Sequence, residues 1–377
     1  MGKVENDFIS KQKTIKSTRH KKQSAYNIKA VDLFCGAGGL TLGLEKSGIG
    51  VSLGIDIDPA CEYPFEANNK ARFLLKSVED VSKQELEDAF DGAKIRLLAG
   101  CAPCQPFSSY SHGKSDDSDE RWNLLMQFGR MVRETKPDLV TMENVPMLAR
   151  QDIFIKFVKN LEADGFHVSF KIVNCADYGV AQQRNRLVLL ASRFGPIELI
   201  EPTTPKERHK TVRSVISKLA RIDAGEKFTQ DRLHQSSQLS DLNLKRIRLS
   251  KPGGTWRDWP EELVADCHKR ESGKTYPSVY GRMEWDEPAP TMTTQFYGFG
   301  NGRFGHPDQD RAISLREGAI IQSFPKSYKF AKPSQPINRR TVGRLIGNAV
   351  PVKLGLAIGK SFIKHLDGLT EPANTAV

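Results

Sequence analysis

No apolar run in this 377-residue chain approaches the roughly 20 residues that a helix needs to cross a bilayer. The N-terminus also lacks the apolar core of a secretory signal. The chain is therefore expected in the cytoplasm, with no membrane partner, where thiols stay reduced. Cysteine is sparse and irregularly placed, at Cys35, Cys61, Cys101, Cys104, Cys175 and Cys267, which is too thin for a disulfide framework. Cys101 and Cys104 form a C-x-x-C, but no second pair exists, and Cys267 and His268 are adjacent rather than spaced. The about four ligands of a zinc site are not supplied, so no metal is expected. The Gly-Lys-Ser/Thr ending of a phosphate loop is missing from the one Gly-rich turn, which argues against a nucleoside triphosphate. Acidic residues are in deficit, 45 against 56 basic, for a net charge of +11. That excess suits a phosphate-rich partner through counterion release, although solubility alone would account for it.

Residues 1–27 are rich in Lys, Ser, Asn and Gln and poor in apolar side chains. They cannot bury enough surface to offset ordering entropy and read as a flexible basic arm, either a solubilising tail or a contact to DNA phosphates. Short apolar runs then recur at 30–34, 51–55, 95–99, 139–142, 168–173 and 187–191. Segments with helical spacing fall between them, at 122–134 and 153–163. This alternation predicts an open, mostly parallel α/β sheet. Regular alternation stops near residue 200. Residues 201–310 carry Pro, Gly and Arg at irregular spacing, with Trp256, Trp259 and Trp285, and read as a smaller, irregular second domain. Residues 314–324 and 339–363 read as helices, within a segment 311–377 that returns to the first domain (28–200).

Phe34-Cys35-Gly36-Ala37-Gly38-Gly39-Leu40 follows the first strand as a Gly-rich turn. It falls short of a dinucleotide fingerprint, and Asp56 lies about twenty residues on, where an acid can meet ribose hydroxyls. These parts suit an adenosine-bearing ligand without a pyrophosphate, and equally a structural turn. Cys104, in Gly100-Cys101-Ala102-Pro103-Cys104-Gln105, follows a strand and would face the ligand crevice of such a sheet. A thiolate there is a strong nucleophile, and a buried inert thiol is the competing reading of the run by itself. Glu143 follows the next strand, where it is either a solvated cap or a carboxyl facing Cys104. A protonated Glu can donate to cytosine N3 and accept from the exocyclic amine. Gln182-Gln183-Arg184-Asn185-Arg186 precedes another strand, and its arginines suit phosphate or a carbonyl oxygen, or merely a charged strand edge.

In this order, the pieces resemble the C5-cytosine DNA methyltransferase family over nearly the whole chain from Ile28, the 201–310 region excepted. The match runs through Phe34 to Gly39, Pro103-Cys104-Gln105, Glu143-Asn144-Val145, Gln182-x-Arg184-x-Arg186, Leu315-Arg316-Glu317 to Pro325, and Gly347-Asn348-Ala349-Val350-Pro351. The resemblance implies a Rossmann-like S-adenosylmethionine methyltransferase sheet with helices on both faces, and a target-recognition domain at 201–310. It implies methyl transfer to C5 of a flipped cytosine in double-stranded DNA, with Cys104 as nucleophile and Glu143, Arg184 and Arg186 around the base. S-adenosylmethionine would be held by Phe34, Gly36, Ala37, Gly38, Gly39, Leu40, Asp56, Ile57, Asp80, Val81, Pro103, Leu124, Asn348 and Val350. Gln105, Ser108 and Thr291 would touch DNA, and residues 105–121 would form a loop that closes over the base. A monomer is expected, with a restriction endonuclease as a separately acting partner. Cys101 departs from the small residue usual at its position and would open the site to oxidation. Two rivals keep the fold: a tRNA cytosine-C5 methyltransferase, and a catalytically silent DNA-binding protein. A nucleotide-dependent oxidoreductase accounts for the Gly-rich turn but for neither Pro-Cys-Gln nor Glu-Asn-Val.

Overall fold

The computed structural model describes residues 26–103 and 123–370. Its sheet contains β1 (Ile28–Leu33), β2 (Gly50–Asp56), β3 (Arg72–Leu75), β4 (Ile95–Gly100), β5 (Leu139–Asn144), β6 (His167–Asn174) and β7 (Asn185–Ser192), in the spatial order β3-β2-β1-β4-β5-β7-β6. The helices are α1 (Gly39–Ser47), α2 (Glu62–Glu66), α3 (Lys83–Phe90), α4 (Asn123–Thr135), α5 (Asp152–Ala163), α6 (Val212–Ile216), α7 (Asp241–Leu249), α8 (Asp266–Lys269), α9 (Leu315–Ile321), α10 (Arg339–Asn348) and α11 (Val352–Thr370). Among the described residues, no helix is long and apolar enough to cross a membrane.

Strands β1 to β5 are parallel, as the alternation of strands with helices predicts. β7 is not: it runs antiparallel between β5 and β6. Side chains alternate between two cores, one on each face. On β4, Leu97 and Ala99 join the core beneath α1 and α11, while Leu98 joins the core beneath α3, α4 and α5. β7 alternates likewise, with Val188 and Leu190 on one face and Leu187, Leu189 and Ala191 on the other. Burial on both faces explains why these strands read as continuous apolar runs. The order reverses beside β1, so the crevice outside the carboxyl ends of β1, β2, β4 and β5 is where a ligand is expected.

Two expectations are corrected. β3 escapes the apolar-run reading because it is a four-residue edge strand with only Phe73 buried. The single helix expected over 339–363 is two, because Pro351 lacks an amide donor and restricts the residue before it, leaving an extended step between α10 and α11.

The last helix returns to the first. A Cβ placed on Gly43 would lie 2.5 Å from the Gly355 carbonyl carbon, and one on Gly359 would lie 2.2 Å from Ser47 Oγ. Small residues thus let α1 and α11 pack backbone to backbone. Beyond the sheet, residues 201–310 fold with short helices and isolated bridges around Leu239, Ile247, Trp256, Trp259 and Phe299. Trp285 instead packs against the sheet-side core. Arg311, fully buried, meets Glu317 with both ends of its fork, at 2.7 and 2.8 Å. Ser314 and Glu317 complete a capping box at the start of α9.

Gly43→Val should destabilise the fold by about 1–3 kcal/mol through overpacking, seen as a lower denaturant midpoint. Gly368→Ala, in α11 with open space around it, should be neutral or stabilising. Burial by itself would raise the Glu317 carboxyl, but Arg311 outweighs it and holds the group at about 2. A depressed folded value contributes stability above the unfolded value of about 4.3, lost as pH falls toward 2. Glu317→Gln should remove that part of the acid-unfolding curve and, by leaving Arg311 unpaired, cost about 3–5 kcal/mol near neutrality.

Candidate active site

The turn after β1 alternates through left-handed backbone, with φ of 58° at Phe34, 53° at Gly36 and 83° at Gly38. A left-handed Phe is uncommon and strained. Asp56, at the end of β2, holds the turn: its Oδ2 accepts from the Gly36 amide at 2.8 Å and its Oδ1 from the Asp58 amide at 2.9 Å. The glycines are required for different reasons. A Cβ on Gly38 would meet Asn69 Nδ2 at 2.3 Å, and one on Gly39 would meet the Val350 carbonyl at 2.2 Å. Beside Gly36 there is nothing within 4 Å. That open flank is a cradle that a side chain would fill. Tyr328 donates to the Ala37 carbonyl from the far side.

Of the other residues expected at the cofactor, Ile57 is 70% exposed just after β2, and Asp80 is exposed at the end of a short 3-10 turn. Asn348 is exposed, and Leu124 is half-buried near the start of α4. Ala37, Leu40, Val81 and Val350 are buried, and Ala37, Leu40 and Val350 belong to the core. Their side chains serve packing, so any part they play toward a ligand falls to their backbone. Asp32 escaped the sequence reading. It is 1% exposed, accepts from Thr41 Oγ1 at 2.6 Å, and keeps Oδ1 without a partner. Burial, with Asp56 nearby, pushes its carboxyl up to about 7. The available signal was an acid inside an otherwise apolar strand.

The second half of the crevice forms where β4 and β5 end. Glu143 is 2% exposed. Cys101 Sγ donates to its Oε2 at 2.9 Å. Arg186 Nε lies 2.9 Å from Oε1, but its N–H is not aimed along that line, so Oε1 accepts no hydrogen bond. Asn144 Nδ2 donates to the Ala102 carbonyl at 2.9 Å and ties the two strand ends together. Pro103, exposed, is the last described residue before 123. Cys104, Gln105, Ser108 and the loop 105–121 lie outside the described residues.

Arg184 and Arg186 share a neighbourhood but differ in use. Arg184 is buried, and its Nη1 and Nη2 donate to the carbonyls of Met292 (3.0 Å) and Gly347 (3.1 Å), leaving Nε without a partner. Burial, and then the charge of Arg186, pull it down to about 9. It ties the strand to the segments 292 and 347, while Arg186 faces Glu143. Gln182 holds the 292 segment too and adds a link to Gln322, accepting from the Met292 amide and donating to Gln322 Oε1, each at 2.8 Å. Thr291, exposed, donates to the Gln183 carbonyl at 2.7 Å, which seats it beside the arginines. Cys101 also differs from expectation. Burial and the Glu143 charge hold its thiol well above the usual range, which disfavours the thiolate that oxidants attack.

Known proteins with this arrangement agree on what it is. The family model for C-5 cytosine-specific DNA methylase matches residues 28–364. Type II methylase M.HgiDII of Herpetosiphon aurantiacus is 53% identical over 344 residues, covering 90% of this chain and 96% of that protein. Type II methyltransferase M.Eco47II of Escherichia coli is 31% identical, covering 90% and 80%. Among solved structures, a prophage-encoded DNA modification methyltransferase of E. coli superposes with a TM-score of 0.65 at 21% identity, over 90% of this chain and 99% of that one. The Entamoeba histolytica methyltransferase EhMeth superposes at 0.60 with 16% identity, over 90% and 99%. These likenesses to solved structures bear out the methyltransferase sheet, and the matched span and the identity to M.HgiDII settle the rest: this chain belongs to the C-5 cytosine-specific DNA methylase family.

Proposed function

We propose that this chain transfers a methyl group from S-adenosylmethionine to C5 of a cytosine in a specific double-stranded DNA sequence, through a covalent bond from Cys104 to C6. The carrying observation is Glu143: a buried carboxyl beside Arg186, with no hydrogen bond to Oε1, at the same end of the sheet as the Gly-rich turn after β1. A buried oxygen without a hydrogen bond needs an explanation, and a bound base supplies one. Cytosine offers what it needs, an amine that donates and an N3 that accepts.

The residues fit the cofactor. Gly36 leaves room at a backbone that approaches closely, Asp56 has acceptor capacity beside it, and exposed Ile57 supplies an apolar face for an adenine ring. Bound there, S-adenosylmethionine supplies an electrophilic methyl group. The protein's own work is at the base. The target is flipped from the stack at a cost of a few kcal/mol. Cys104 thiolate forms a bond to C6, and the electron pair pushed into the ring is stabilised at N3 by protonated Glu143. Arg186 fixes the carbonyl side, with Arg184 bracing the strand that carries it. C5 is then nucleophilic. After it is methylated, loss of its proton expels Cys104 as thiolate and restores the ring. Residues 201–310 read the sequence from the major groove through Arg, Thr and Gln side chains. The setting is restriction–modification, with a separately acting endonuclease.

Expression in a methylation-free host followed by bisulfite sequencing should reveal 5-methylcytosine at one recurring sequence. Uniformly unmethylated DNA from well-expressed protein overturns the reading. Cys104→Ser should abolish transfer, and a Cys104→Ser protein with full activity would remove the covalent step. Glu143→Gln should slow transfer by about 10²–10⁴-fold. For the cofactor pocket, Ile57→Ala should weaken S-adenosylmethionine binding about tenfold by calorimetry. Ile172→Ala, an equally apolar exposed position on β6, should leave it unchanged.

A further inference from the structure

The carboxyl of Glu143 must present one particular oxygen to the base, yet its terminal torsion is soft and nearly two-fold. Something has to fix it. Arg186 approaches Oε1 without the alignment of a hydrogen bond. Among the described residues, the one hydrogen bond to the Glu143 side chain comes from Cys101 Sγ, to Oε2 at 2.9 Å. We propose that Cys101 is a positioning residue for Glu143: its thiol fixes Oε2 and thereby leaves Oε1 as the oxygen offered to the base. This rests on the methyl-transfer reading of the site.

The thiol is itself held on both sides. The Cys101 amide donates to the Leu33 carbonyl at 3.2 Å, anchoring it to the end of β1. The next residue is pinned to β5 by Asn144. Cys101 therefore spans the two halves of the crevice, with its backbone on the cofactor strand and its side chain on the base-binding carboxyl. A thiol is a weak donor, but here the acceptor is a carboxyl oxygen shielded from solvent, where a hydrogen bond is strengthened. Burial and Glu143 keep the proton on sulfur, so the group stays a donor.

The experiment compares wild-type protein with Cys101→Ala and Cys101→Ser. In steady-state methylation of DNA, Cys101→Ala should lower kcat about tenfold with little change in KM for either substrate. Cys101→Ser, which keeps a donor, should recover to within about threefold of wild type. The infrared S–H stretch gives a readout independent of activity. The band lost in Cys101→Ser should lie at the red-shifted position of a bonded thiol and move to higher frequency in Glu143→Gln. A Cys101→Ala enzyme with wild-type kcat overturns the proposal, as does a Cys101→Ser enzyme no better than Cys101→Ala. A Cys101 band at the frequency of a free thiol also overturns it. If wild-type protein methylates no DNA, the methyl-transfer reading fails instead, and the band still decides whether the thiol holds the carboxyl.

Discussion

A carboxyl buried at the end of a central strand is unfavourable unless its surroundings compensate it, and Glu143 imposes that requirement on three separate segments. β5 is buried along its whole length, so Glu143 cannot turn to solvent. One neighbour comes from the end of β4 and the other from the start of β7. The direction of β7 is what makes this work. Glu143 lies at the end of its strand, whereas Arg186 lies at the start of its own. In a parallel arrangement those two positions would lie at opposite edges of the sheet. Because β7 is antiparallel, with Glu143 opposite Val188 and Asn144 opposite Leu187, the residue just before Leu187 falls beside the carboxyl. The one reversal in the sheet thus puts an arginine where the chemistry needs it.

The cofactor side depends on a different close approach. Gly39 opens α1 against the Val350 carbonyl, and α1 carries α11 along its length through Gly43 and Gly355. The last segment of the chain is therefore part of the first turn of the fold. Residues 347–350 reach both halves of the crevice: Gly347 accepts from Arg184, and Val350 seats the Gly-rich turn. A sequence motif near the carboxyl end is tied to one near the amino end by backbone contact, which tolerates no side chain at the meeting points.

Much of this was legible. Apolar runs of four to six residues marked the strands, the central ones because both faces are covered, and Cys104, Glu143 and the arginines stood out because each adjoined such a run. What was not legible shares a physical cause. Strand direction is not encoded in apolar periodicity, so the antiparallel β7 could not be read, although the convergence of Arg186 on Glu143 requires it. β3 was invisible because an edge strand needs little apolar content. Asp32 sat within a run that read as strand, and only the structure reveals a carboxyl with one oxygen unpaired. Cys101 was read as a departure exposed to oxidation, since spacing alone cannot say that its sulfur meets a carboxyl.

The region 201–310 raises a question of energy rather than pattern. Its own core is small and aromatic, with Arg246 lying over the rings of Trp259 and Tyr280 at 5.6 and 5.4 Å. The region meets the sheet through apolar side chains, among them Val212, Ile216, Met283, Met292, Phe296 and Phe304, and through buried polar contacts, Arg184 to the Met292 carbonyl and Gln182 to the Met292 amide. Well-packed apolar residues would hold such a junction at least as firmly, because burying charges is expensive even when they are paired. Polar contacts add direction. Each bond is made at one separation and one angle, so a displacement of the region leaves a buried group unpaired rather than merely repacked. In the proposed function a base must meet Glu143 and Arg186 while its neighbours are read by another part of the chain, and a fixed separation between the two then matters more than the strength of the junction. Arg184 and Gln182, holding Met292 by directed bonds, add that constraint to the apolar packing.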